Sequence, residues 1–122
     1  MANLQPKQSP DFKNALCVLV NQHLDARGWR PARLAEESGL SKATISRITR
    51  LRTQKDKCYY PKPQAIFAIA LALRLGEDEC EALFDAAYPG WLICRESIKK
   101  GRSLMDTNEI MYDTGCPLLT NE

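Results

Sequence analysis

The chain has 122 residues, 44% apolar and 26% charged, a size and balance that suit one modest globular domain. No apolar run nears the roughly 20 residues of a membrane span, and the opening MANLQPKQSP lacks a secretory core, so the expected compartment is the cytoplasm. Net charge is only +2, but it is segregated: 27–62 holds ten Lys/Arg against three acids, a net +7, whereas 63–122 holds five against ten, a net −5. A basic block of that kind is the footprint expected of a phosphate-binding surface.

Periodicity predicts helices nearly throughout and no strand. Residues 1–10 read as an N-terminal arm. Ser9-Pro10-Asp11 suits a helix start, with a cap, a first-turn proline and an acid at the positive end. Phe12, Leu16, Leu19, Val20 and Leu24 then recur at helical spacing to about Ala26, and Gly28 breaks the run. Trp29 is expected to plug the core ahead of a second helix from Pro31, which turns Leu34 and Ala35 inward. A third helix is expected from Ser41 to about Leu51, its first amides capped by the Ser41 hydroxyl. The stretch 52–63 is polar, basic and proline-containing, a long loop interrupted by Tyr59-Tyr60.

Downstream, QAIFAIALALRL (64–75) is the most apolar segment, expected to run as one central helix until Gly76. A fifth helix follows over 77–87, with its acids at the start. After Pro89-Gly90 a sixth is expected over 91–100, closed by Lys99, Lys100 and Gly101. Asp106-Thr107-Asn108-Glu109 resembles a capping box, opening a short helix to about Thr114, closed by Gly115.

The five cysteines (Cys17, Cys58, Cys80, Cys94, Cys116) are widely spaced, form no CxxC pair and have only His23 as a possible nitrogen partner. Neither a disulfide framework nor a metal site is expected from them. With no Gly-rich phosphate loop and no nucleophile beside an evident base, the chain is not read as an enzyme. No catalytic residue and no cofactor is expected. His23 lies on or beside the apolar stripe of the first helix and reads as a packed or half-exposed residue, not a base. Cys58, among cations, is a conceivable redox-sensitive thiol.

The most informative segment is PARLAEESGLSKATISRITR, 31–50. Ala35 is small enough to let a second helix approach, and Gly39, four residues on, can take the positive φ of a sharp turn. Leu40, Ile45 and Ile48 point one stripe of the following helix into the core, leaving its other face outward. Leu34-Ala35, Gly39-Leu40-Ser41, Ile45-Ser46 and Ile48 together resemble the Cro/repressor type of helix-turn-helix, the Xre-like family. The likeness covers about 14–87, and Ala70, Leu71, Leu73 and Leu75 resemble that family's fourth helix.

The resemblance implies an all-α fold: a five-helix lambda-repressor-like helix-turn-helix domain over 11–88 with a C-terminal helical extension over 89–122, expected to pack on the same domain. It implies base-facing side chains at Ser41, Lys42, Ala43, Thr44, Ser46 and Arg47. Arg47 has the fork that reads guanine, and Lys42 can do likewise or reach a phosphate. Within the chain, Arg47 could instead pair with Glu36 or Glu37. Backbone phosphates would fall to Arg30, Arg33, Arg50, Arg52, Lys55 and Lys57. Pro31 departs from the family pattern, because it has no N–H for the phosphate contact usual at that position. Tyr59 and Tyr60 either hydrogen-bond phosphate or anchor the loop.

The function implied is a sequence-specific DNA-binding transcriptional regulator, with double-stranded DNA as partner, pairing as a homodimer. The alternative is an antitoxin or other protein-interaction module, in which an acidic surface (Glu77, Asp78, Glu79, Glu81, Asp85) carries the main task. Acids at a helix start are also explained by the dipole alone.

Overall fold

The computed structural model describes residues 12–119, and they fall into two compact units, Phe12–Tyr88 and 89–119. The expected N-terminal arm and the Ser9-Pro10-Asp11 cap lie outside the described residues. Every regular element among the described residues is an α-helix, seven in all: α1 Phe12–Arg27, α2 Pro31–Ser38, α3 Lys42–Thr49, α4 Pro63–Ala72, α5 Glu77–Ala87, α6 Trp91–Lys100 and α7 Leu104–Thr114. No described helix is long and apolar enough to cross a membrane.

In the first unit, α1 packs on α3 and α5, α2 on α3 and α4, and α4 on α5. The core is the meeting of their apolar stripes: Leu16, Cys17, Val20 and Leu24 from α1, Leu34 and Ala35 from α2, Ile45 and Ile48 from α3. Ile66, Ile69, Leu73, Leu83 and Ala87 complete it from the second half of the unit. At eight residues α3 is too short to persist by itself. The burial of Ile45 and Ile48, about 1.5–3 kcal/mol each, is what holds it in place.

Gly39 ends α2 at φ 77°, and its N–H returns to Ala35 O at 3.0 Å. That left-handed residue reverses the chain within three residues, so α3 starts beside α2. Ser41 caps α3 as its hydroxyl accepts from Thr44 N at 3.0 Å.

Several boundaries differ from the sequence expectation, each for a visible reason. Helix α3 stops at Thr49, and Leu51, expected inside it, is 65% exposed. The carbonyl of Thr49 is taken by side chains of α1, which turns the chain away from the helix axis. Helix α4 spans Pro63–Ala72 and not 64–75, because Arg74 adopts φ 56° and lets Leu75 N reach back to Ala70 O at 3.0 Å. Gly76 therefore does not end α4; it opens α5, donating its N–H to Glu79 Oε1 at 3.0 Å. Trp29 is half-buried and does not plug the core; one face of its ring carries the Arg33 guanidinium, 4.6 Å from the centroid. Helix α7 is capped by Ser103, which accepts from Asp106 N at 3.0 Å, so its start lies ahead of the expected capping box.

In the second unit α6 packs on α7 across the turn at Gly101, which ends α6 at φ 71°. Ser97, Thr107 and Met111 are buried. Gly90 stands at φ 92° with the Met111 side chain directly over it. A Cβ there would lie 2.8 Å from Met111 Sδ and collide with its methyl.

Candidate nucleic-acid interface

The outward surface of α3 follows from its inward one. With Ile45 and Ile48 buried, a 3.6-residue turn places Lys42, Ala43, Ser46 and Arg47 within about 140° of arc on the opposite side. All four are exposed. Lys42 and Arg47 make no ion pair among the described residues, and Glu37, considered as a partner for Arg47, binds Arg33 at 3.0 Å instead. Two cations thus project from one face with two small residues between them. Lys42 and Ser46 also wall an open groove of about 300 Å³ against Pro31 and Ala32 of α2.

Ser41 and Thr44, expected on the same face, occupy a different place. Ser41 Oγ donates to Thr44 Oγ1 at 3.0 Å while accepting from the Thr44 amide. Thr44 is half-buried at the edge of the arc. These two hydroxyls serve the helix start first.

The expected phosphate ligands fall into two groups. Arg30, Lys55 and Lys57 are exposed and make no ion pair among the described residues. The others are engaged within the chain. Arg33 lies between Trp29 and Glu37, and Arg50 stands 3.8 Å from Asp56. Arg52 donates to Arg50 O at 3.2 Å and rests 5.2 Å from the Tyr59 ring centroid. The tyrosine pair is divided. Both line a crevice with Leu16, Ile48 and Ala87, but Tyr59 is half-buried there whereas Tyr60 is exposed. Tyr88 anchors the end of the loop by donating its hydroxyl to Pro61 O.

What the sequence reading missed is the source of the loop's shape. Along α1, Lys13, Asn14, Cys17 and Asn21 occupy about 100° of arc beside the apolar stripe. Asn21 Nδ2 and Cys17 Sγ both donate to Thr49 O, at 3.0 and 3.1 Å. Asn14 exchanges a reciprocal pair with the backbone of Arg52, donating to its carbonyl at 2.9 Å and accepting from its amide at 2.7 Å. Lys13 Nζ donates to Thr53 O at 3.2 Å, Gln54 O at 3.0 Å and Asp56 O. Two asparagines one side of an apolar stripe are visible in sequence, but nothing local names a partner forty residues away.

Two ionisations reflect this arrangement. Asp56 Oδ2 accepts from the Thr53 amide at 2.8 Å, and that bond, with Arg50 and Lys13 nearby, holds its carboxyl below the usual range. Burial pushes the Cys17 thiol up, so it remains a neutral donor at neutral pH. Cys58 is exposed. Among the described residues no group of three His, Cys, Asp or Glu is placed to hold a metal ion. Compared with protein families, curated proteins and solved structures, the chain matches none.

Proposed function

We propose that the chain is a sequence-specific DNA-binding regulator in which α2 and α3 act as a helix-turn-helix and α3 enters the major groove. The observation that carries this is the outward arc of α3, where Lys42 and Arg47 stand exposed beside Ala43 and Ser46 while Ile45 and Ile48 fix the helix from behind. Arg47 reads guanine through its two parallel donors, Lys42 reads a neighbouring guanine or holds a phosphate, and Ala43 offers a methyl to thymine. Ser41 and Thr44 supply their remaining hydrogen-bonding capacity at the helix start. Arg30, Lys55 and Lys57, joined by Arg33, Arg50 and Arg52, contact phosphates and set the register. The five helices of Phe12–Tyr88 are compatible with the lambda-repressor-like arrangement. A single such helix reads few base pairs, so the working form is a homodimer on half-sites about 34 Å apart.

The test is a binding selection from randomised duplexes. Wild type should enrich a discrete motif, two-fold symmetric if the protein pairs. Arg47→Ala should cost about 1–3 kcal/mol and relax preference at one base pair. Loss of affinity with unchanged selectivity would remove Arg47 from base reading, and no enriched motif at all would remove the function. A protein-interaction module is the second reading, favoured by the exposed Ile98, Met105 and Tyr112 of α6 and α7.

A further inference from the structure

The loop that follows α3 is twelve or so residues of polar chain, and such loops ordinarily have to be ordered when they bind. This one is held already. One ammonium has three N–H donors, and Lys13 commits them to three backbone carbonyls within four residues, at Thr53, Gln54 and Asp56. Asn14 fixes the preceding residue through both ends of its amide, and the Asp56 carboxylate closes the turn on the Thr53 amide. Tyr88 pins the far end at Pro61. Between these fixed points Lys55 and Lys57 project outward and are exposed. The backbone is therefore tied down on its inner side, while its cations are left to solvent.

We infer that Lys13 is a positioning residue: it presets the basic loop so that Lys55 and Lys57 meet DNA phosphates without an ordering cost, and it touches no phosphate itself. This rests on the DNA-binding function proposed above, and it assigns to a cation of α1 a task that its charge would not suggest. A lysine near a basic surface ordinarily counts as one more phosphate ligand. Here its donors are spent on carbonyls, so its removal and the removal of Lys55 have different signatures. Loss of Lys13 leaves the number of neutralised phosphates unchanged and adds a constant penalty for ordering the loop. Loss of Lys55 removes one released counterion and therefore changes the salt slope.

The experiment compares wild type, Lys13→Met, Lys13→Arg and Lys55→Ala on a mixed-sequence DNA duplex over a series of salt concentrations, alongside limited trypsin cleavage of the DNA-free proteins. Lys13→Met should be cut faster after Lys55 and Lys57, and should bind about tenfold more weakly at every salt concentration, with the wild-type slope. Lys13→Arg, which keeps several donors, should restore most of the protection. Lys55→Ala should keep the protection and lower the slope by about 0.9 for each protomer bound. Unchanged cleavage of Lys13→Met, or a slope that falls as for Lys55→Ala, overturns the inference. So does accelerated cleavage with unaltered affinity. If Lys13→Met melts as an unfolded chain, Asn14→Ala reaches the same loop through Arg52 and must give the same two changes. Wild type that does not bind duplex DNA overturns the proposed function, and the phosphate half of the inference with it, while the cleavage pattern still reads the hold of Lys13 on the loop.

Discussion

Asp56 is the single acid in a loop whose other charges are Arg50, Arg52, Lys55, Lys57 and Lys62. Its role is structural: Oδ2 receives the amide of Thr53 at 2.8 Å and lies 3.3 Å from the Thr53 hydroxyl. Both bonds favour the ionised carboxylate, which is why its pKa lies below the ordinary value. The sign follows directly. A carboxyl whose folded pKa is depressed stabilises the fold above its unfolded pKa of about 3.9, and that contribution fades as pH falls through the folded value. The Thr53 amide resonance should therefore titrate with a midpoint below that of a free aspartate. A midpoint at or above the value of a free aspartate would mean that the turn is not held in solution.

At the scale of single elements, α3 depends on both of its ends. Its start depends on Ser41, and Ser41→Ala should cost about 1 kcal/mol in urea unfolding, with Ser41→Asp recovering most of it. No loss would show that the Thr44 amide finds water without penalty. This start was legible in the sequence because a cap acts over three residues. So were the glycine after α2, the apolar stripes of α1 and α4, and the bounds of α5 and α6. The other end was not legible. Ile48, Thr49 and Leu51 continue a plausible helical pattern, and only Cys17 and Asn21, both on α1, draw Thr49 O out of the run. Helix α4 is the same lesson in a different form. Leu73 and Leu75 extend its apolar period, yet Arg74 takes a left-handed conformation that propensity assigns to glycine. Side chains of α1 reach both boundaries, Arg27 donating to Leu73 O at 2.9 Å as Asn21 does to Thr49 O, and a one-dimensional pattern does not carry such contacts.

At the scale of the molecule, charge is distributed as the helices are. The basic block of 27–62 covers α2, α3 and the held loop, whereas the five acids of α5 follow it in the same unit. Binding through such a surface should weaken linearly in log affinity against log salt concentration. An affinity for duplex DNA that does not respond to salt would mean that these cations meet no phosphates. The candidate surface was legible in part. The spacing of Ile45 and Ile48 sufficed to place Lys42, Ala43, Ser46 and Arg47 outward, but not to show that Ser41 and Thr44 bind each other, nor that Arg33 and Arg52 lean on aromatic rings. Those pairings depend on rotamers and on neighbours distant in sequence.

The division of labour within α3 has a bearing on how this chain could change over time. Four positions face away from the interior and four others supply its anchorage and start, so the two sets can vary separately. Replacing Lys42, Ala43, Ser46 and Arg47 in combination, proline and glycine apart, removes no buried methyl and orphans no amide, which keeps such a collection foldable. On the DNA-reading role proposed for this face, new preferences would be sampled, by natural drift or in a laboratory library, on a scaffold that does not register the exchange.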